Sequence, residues 1–188
     1  MRALAPSHQA LALSLAVLAG YVDSLGFLQL GGVFVSFMSG NSTRLAASLA
    51  EGRWAAAGGL AGILILFVMG SFCGALIARG QEKRSRSRVL AFEGVLLTLA
   101  ALAAGMGYKP VAIGLMVMAM AAENSVFLRN GEAAVSLTYM TGTLVKLGQS
   151  LAAAMTGGER WAFAPYLGLW GGLTGCLLYT SDAADDTP

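Results

Sequence analysis

Long apolar runs alternate with short polar breaks along most of the chain. Residues 10–30 are mostly apolar with Asp23 their only charge, 58–78 carry no charge, and 89–107 carry only Glu93. Residues 110–128 follow after a turn at Tyr108-Lys109, and 161–178 form the last apolar run. A membrane helix needs about 20 mostly apolar residues, so each run predicts a spanning helix. The brevity of the Tyr108-Lys109 turn makes its two flanking helices an antiparallel hairpin, and Pro110 suits the first turn of the second. Arg2 and the short apolar core ending near Gly20 resemble a signal peptide. Apolar sequence continues to Met38 and further spans follow, so the first helix is read as uncleaved.

Two segments are weaker. Residues 33–50 are interrupted by Ser39-Gly40-Asn41-Ser42-Thr43-Arg44, and residues 133–155 by Thr141-Gly142-Thr143 and Lys146. Each is expected to be a broken or re-entrant helix, because glycine lets a helix unwind and Ser, Thr and Asn can satisfy the backbone groups set free.

Composition supports the membrane reading. Hydrophobic residues make up 56% of the 188, charged residues only 12%, and mean hydropathy is +0.68. The charged share is about half that of a soluble domain. Disordered chains, coiled coils, disulfide modules and nucleic-acid binders are excluded, and a net charge of +2 is too mild to name an anionic partner. The fold class expected is all-α: a polytopic helix bundle within one integral membrane domain, residues 1–178, in contact with the lipid bilayer. Residues 179–188 hold three acids and no base, and LLYTSDAADD resembles adapter read-through at the end of an assembled fragment. This tail is read as non-native.

The chain also repeats itself. Residues 27–36 align with 127–136 through Phe27/Phe127, Leu28/Leu128, Gly31/Gly131, Val35/Val135 and Ser36/Ser136. Residues 38–50 align with 140–152 through Met38/Met140, Gly40/Gly142, Leu45/Leu147 and Ser48-Leu49-Ala50/Ser150-Leu151-Ala152. Eleven identities in 23 positions exceed the two or three that this composition gives by chance, roughly. Two internal repeats are expected, 10–107 and 110–178, the second lacking a fourth helix that would begin at about residue 190. The chain is therefore read as shortened at its C-terminal end.

Asp23 to Asn41, with Phe34-Val-Ser-Phe-Met-Ser-Gly-Asn41, is similar to the amino-terminal signature of the YoaK-like family of bacterial inner-membrane proteins, a domain of unknown function. Glu123-Asn124 followed by Tyr139-Met-Thr-Gly-Thr143 resembles that family's second signature. The resemblance covers most of 10–178. It implies a multi-pass protein of the bacterial inner membrane with a transport role and no known substrate.

Five of the twelve basic residues fall between Arg79 and Arg88. The positive-inside rule makes this stretch a cytoplasmic loop. Re-entrant 33–50 and 133–155 segments would give inverted repeats, and full crossings would give parallel ones. The remaining basic residues favour inversion. Trp54 and Trp161, beside Arg53 and Arg160, stand as interface anchors. Gly58xxxGly62, Gly70xxxGly74, Gly168xxxGly172 and Gly171xxxGly175 permit close helix approach, inside one chain or in a homo-oligomer.

Charges at membrane depth cost about 3 kcal/mol each on insertion scales and so call for a partner, a water-filled cavity or a function. Asp23 precedes Arg44 by 21 residues, and Glu123 precedes Lys146 by 23, so each repeat offers one acid and one base. Two acid–base pairs are expected, acting as locks on the broken segments or as part of a solute site. Broken segments in two halves point to a transporter site between them. The site residues expected are Asp23, Asn41, Ser42, Thr43, Arg44, Glu123, Asn124, Thr141, Thr143 and Lys146, around an unknown small solute. The alternative is a non-transporting scaffold or partner subunit. Cys73, Cys176 and the lone His8 form no metal-binding pattern, so no metal or cofactor is expected. No hydrolase or nucleotide motif occurs, and an intramembrane acid hydrolase would need two facing carboxyls, with Asp23 and Glu123 as candidates.

Overall fold

The computed structural model describes residues 6–29, 32–79, 82–129, 132–133 and 139–185. Seven helices lie among them: α1 Pro6–Gln29, α2 Met38–Ala50, α3 Trp54–Ile77, α4 Glu82–Gly105, α5 Lys109–Glu123, α6 Met140–Met155 and α7 Ala164–Asp185. A two-residue antiparallel pairing of β1 Leu128–Arg129 with β2 Glu132–Ala133 is the remaining element. The chain is all-helical in class, as its apolar runs predict.

Three described helical stretches are long and apolar enough to cross a membrane: Ser7–Leu28, Trp54–Ile77 and Arg84–Gly105. Their surfaces show why. On α3, Ile65, Val68 and Phe72 are each more than half exposed, as are Val95 and Leu102 on α4. Such apolar bands suit lipid and would be a liability in water. Polar side chains inside these helices turn back on their own backbone. The hydroxyl of Ser24 donates to Gly20 O at 2.7 Å, and that of Thr98 to Gly94 O at 2.7 Å. A hydroxyl in hydrocarbon finds its acceptor four residues earlier because no water supplies one.

The chain divides into two compact units, residues 25–136 and residues 1–24 with 137–188. In the first, α5 is the buried centre, packed against both α3 and α4. The α3–α5 seam is parallel and made of small residues. A side chain on Gly70 would lie 2.6 Å from Met118 O, and one on Gly74 would lie 2.8 Å from Ala122 Cα. Gly70xxxGly74 therefore serves packing inside the chain. In the other unit, α6 packs on α7, and Gly20 of α1 faces the Leu173 backbone of α7.

Several expectations need correction. The polar runs do not interrupt helices. Ser39 to Arg44 forms the opening turns of α2 and Thr141 to Thr143 the start of α6, and the irregular backbone lies before α2, at 32–37. At 13 residues α2 is about 20 Å long, too short for a core of about 30 Å. The basic stretch is largely helical, since α4 already begins at Glu82. There Ser85 Oγ donates to Ala78 O at 2.6 Å and Arg88 Nη2 to Arg79 O at 2.7 Å, capping the carbonyl end of α3. The helix after Pro110 ends at Glu123 instead of 128, and α7 continues through the acidic tail to Asp185. Trp54 and Trp161 are each 72% exposed.

The starts of α2 and α6 match in detail. Both follow an aromatic N-cap of the same backbone geometry, Phe37 (φ −88°, ψ 76°) and Tyr139 (φ −87°, ψ 72°). In each, the ring lies against the glycine three residues on, Gly40 or Gly142. Both helices end on a left-handed glycine, Gly52 and Gly157, with the next N–H bonded five residues back, to Ser48 O and Ala153 O.

The α3–α5 seam yields a test. Gly70→Val should destabilise the purified protein by about 1–3 kcal/mol through overpacking. Gly58→Val, where nothing lies within 4 Å, should change stability by no more than about 0.5 kcal/mol. Equal thermal melting of the two variants in nanodiscs would contradict the seam.

Candidate functional site

The entry to α2 is built by the Phe34–Asn41 stretch, and each residue has a place. Phe34 packs on Phe27 with ring centres 5.0 Å apart and planes tilted by 40°, and meets Phe37 edge-on at 5.3 Å. Val35 is fully buried, with no room for a side chain on Gly26. Asn41, also fully buried, holds both backbone groups of one residue: Phe34 N donates to its Oδ1 at 3.1 Å, and its Nδ2 donates to Phe34 O at 2.6 Å. The carboxamide acts as a strand partner for a backbone that has none, as a buried peptide group requires.

This clasp presents the next turn. Arg44, three residues on, donates to Gly32 O and borders an open cavity of about 660 Å³ within the 25–136 unit. That volume is typical of small-molecule sites. Ala47, Ala56, Leu60, Ile63, Leu66 and Ile113 give it apolar walls. Its charged lining residues are Arg44, Arg53 and Lys109. Arg53 Nε shares its charge with Glu51 at 2.7 Å.

Helix register explains the cavity. Leu66 meets Gly114, Gly70 meets Met118 and Gly74 meets Ala122, a constant offset of 48 between parallel helices. Lys109 therefore lies level with Ala61, seven residues into α3 and about 10 Å below Trp54. The recess above the start of α5 is the cavity.

Towards the other end of α5 lies the second feature. Glu123 is 0% and Glu93 of α4 is 2% exposed, and the two carboxyls are within electrostatic reach of each other. None of their four oxygens has a hydrogen-bond partner among the described residues. Ala119, Met120, Ala121 and Ala122, which precede Glu123, are all fully buried. Arg86, two turns before Glu93, lies with its guanidinium 5.2 Å from the Phe127 ring centre, and its Nε donates to Val126 O at 3.4 Å.

The expected site residues are placed as follows. Only Arg44 borders the cavity. The exposed Ser42 and Thr43 bond back to Met38 O and Ser39 O, and the buried Thr143 bonds to Tyr139 O. Asn124 Nδ2 donates to Met120 O at 3.1 Å. Thr141 and Lys146 are exposed. Asp23 is buried and is not an unpaired charge. The basic partner expected for Glu123 is not bonded to it. Arg53, Lys109 and Glu93 were not among the expected site residues. Arg53 reads as the neighbour of an interface tryptophan and Lys109 as part of a turn, and Glu93 has no counterpart in the repeat. Its depth in α4, eleven residues from the helix start, was the available signal.

The clasp is testable. Asn41→Leu should cost about 1–3 kcal/mol, because the buried N–H and C=O of Phe34 lose their partners. It should also open the 32–37 segment to chymotrypsin at Phe34 and Phe37. Wild-type melting and cleavage would show that Asn41 does not hold this turn.

Comparison with known proteins gives two matches. A model of the family described as "Protein of unknown function (DUF1275)" matches residues 11–186. A UPF0700 transmembrane protein, RA0705, of Rhizobium meliloti (strain 1021) is 32% identical over 180 residues, covering 94% of this chain and 77% of that protein. No solved structure matches.

Proposed function

This chain belongs to the DUF1275 family of proteins of unknown function, and we propose that it works as a small-solute permease of the bacterial inner membrane, taking up organic anions at the Arg44–Arg53–Lys109 cavity. The observation that carries the reading is the cavity itself: a recess of about 660 Å³ with apolar walls and three cationic side chains. A carboxylate, sulfonate or phosphomonoester with a small apolar body matches that lining. Cations that attract an anion and walls that take its hydrocarbon part divide the work as small-molecule sites do.

The membrane setting supports a carrier. Three described spans and apolar lipid-facing surfaces put the chain in a bilayer. The basic stretch that follows α3 and opens α4 is read as the cytoplasmic end by the positive-inside rule. Because α3 runs away from Trp54 towards that stretch, the cavity opens at the opposite, outer end. The chain also reads as an internal duplication, supported by the shared caps of α2 and α6. The protein is read as a carrier rather than an enzyme.

Thermal unfolding in nanodiscs with benzoate, phenylphosphate and benzylammonium tests this reading. Either anion should stabilise the protein, by about 2.7 kcal/mol at a hundredfold excess over its Kd, and benzylammonium should not. Lys109→Gln should remove most of the gain, and the stabilising anion should accumulate in proteoliposomes. Equal stabilisation by anion and cation, or none by any of the three, contradicts the anion site. Anion binding without accumulation favours a non-transporting membrane module.

A further inference from the structure

Glu93 and Glu123 have no role in the cavity, yet they are the most completely buried acids described. They lie on adjacent helices of one unit, α4 and α5. Both are at least nine-tenths buried, and no described residue donates to any of the four oxygens. Around them the walls are apolar or small. α3 presses on α5 at Gly74 and Ala122, and between Trp54 and Ile77 it carries no charged residue, its one titratable group being Cys73. α5 contributes only Lys109, at its opposite end. Before Glu93 on α4 stand Arg88, which donates to Arg84 O and Arg79 O, and Arg86, which lies against Val126 O and the Phe127 ring.

What such a pair can hold follows from its chemistry. An ionised carboxylate in an apolar interior needs donors or a counter-charge, and two near each other need more. A metal cation would need several further oxygens around it. Among the described residues no cluster of three His, Cys, Asp or Glu side chains is present. A proton needs only the carboxyl itself. We propose that Glu93 and Glu123 form a proton-carrying site of the transmembrane bundle, protonated while occluded as in this structure and deprotonated when the α4–α5 contact admits water. On release, the O–H bond of the carboxyl breaks, the electron pair stays on oxygen and the proton passes to water. On reclosure, a proton from the other aqueous phase restores the acid. The site stands on its own geometry. Its use as the driving-ion site for solute uptake rests on the permease reading.

Infrared spectroscopy of the full chain in nanodiscs, with carbon-13-labelled glutamate, tests the proposal without assuming a substrate. At about pH 8 exposed glutamates are ionised, since their ordinary pKa is about 4.3. A labelled carbonyl stretch of protonated carboxyl should nevertheless appear, shift in heavy water and disappear in Glu93→Gln/Glu123→Gln. Each single Gln variant should lose part of it. Glu93→Asp, which keeps a carboxyl in place, should retain a band and serves where the double variant does not fold. A wild-type spectrum without a protonated glutamate band overturns the proposal, as does a band unchanged in both single variants. Anion accumulation measured alongside separates the two readings. Accumulation without the band leaves the permease and removes the proton site. The band without accumulation leaves the proton site and removes the permease.

Discussion

In the hydrocarbon of a bilayer no water is available to complete a hydrogen bond, so each polar group must find its partner within the protein. That constraint orders most of what this structure contains. Serine and threonine hydroxyls return to carbonyls one turn back on α1, α2, α4 and α6. The carbonyl end of α3 is closed by Ser85 and Arg88 from the next helix. Where the chain leaves helical geometry before α2, a single amide side chain supplies both missing bonds. Against that background, two carboxyls buried with no donor among the described residues are an exception, and exceptions at membrane depth are where function concentrates.

Long apolar runs were the legible part of the sequence. Residues 58–78 and 89–107 fall within or close to α3 and α4, because a helix that faces lipid advertises itself in composition alone. The start of α4 was hidden for the opposite reason. Lys83, Arg84, Arg86 and Arg88 favour helix intrinsically, but hydropathy reads them as loop. The fall of α5 short of residue 128 depends on tight turns in which Ser125 N bonds Ala122 O and Val126 N bonds Glu123 O. No periodicity reveals such turns.

Candidate chemistry was legible by residue more than by role. Asn41 stood out as an intramembrane amide, and the structure gives that amide to Phe34, seven residues earlier, a fold-back with no sequence signature. Glu123 stood out by its repeat register, whereas Glu93 lacked a counterpart and was set aside. Its significance arises only when α5 packs on α4 and brings the second acid near, a non-local event. Arg44 was singled out for its depth. The recess it borders depends on how far α5 is set back along α3, which only the packed pair of helices reveals.

That setback has a consequence for the surrounding lipid. The turn from Met106 to Lys109 ends in a lysine about 10 Å below the tryptophan that marks the start of α3. Acyl chains beside this turn meet a polar step where their neighbours along α3 meet apolar side chains. The bilayer must thin locally or let water down to the step, at a cost that grows with chain length. The hydrophobic thickness of the host membrane thereby becomes a variable that acts on this protein through one short helix.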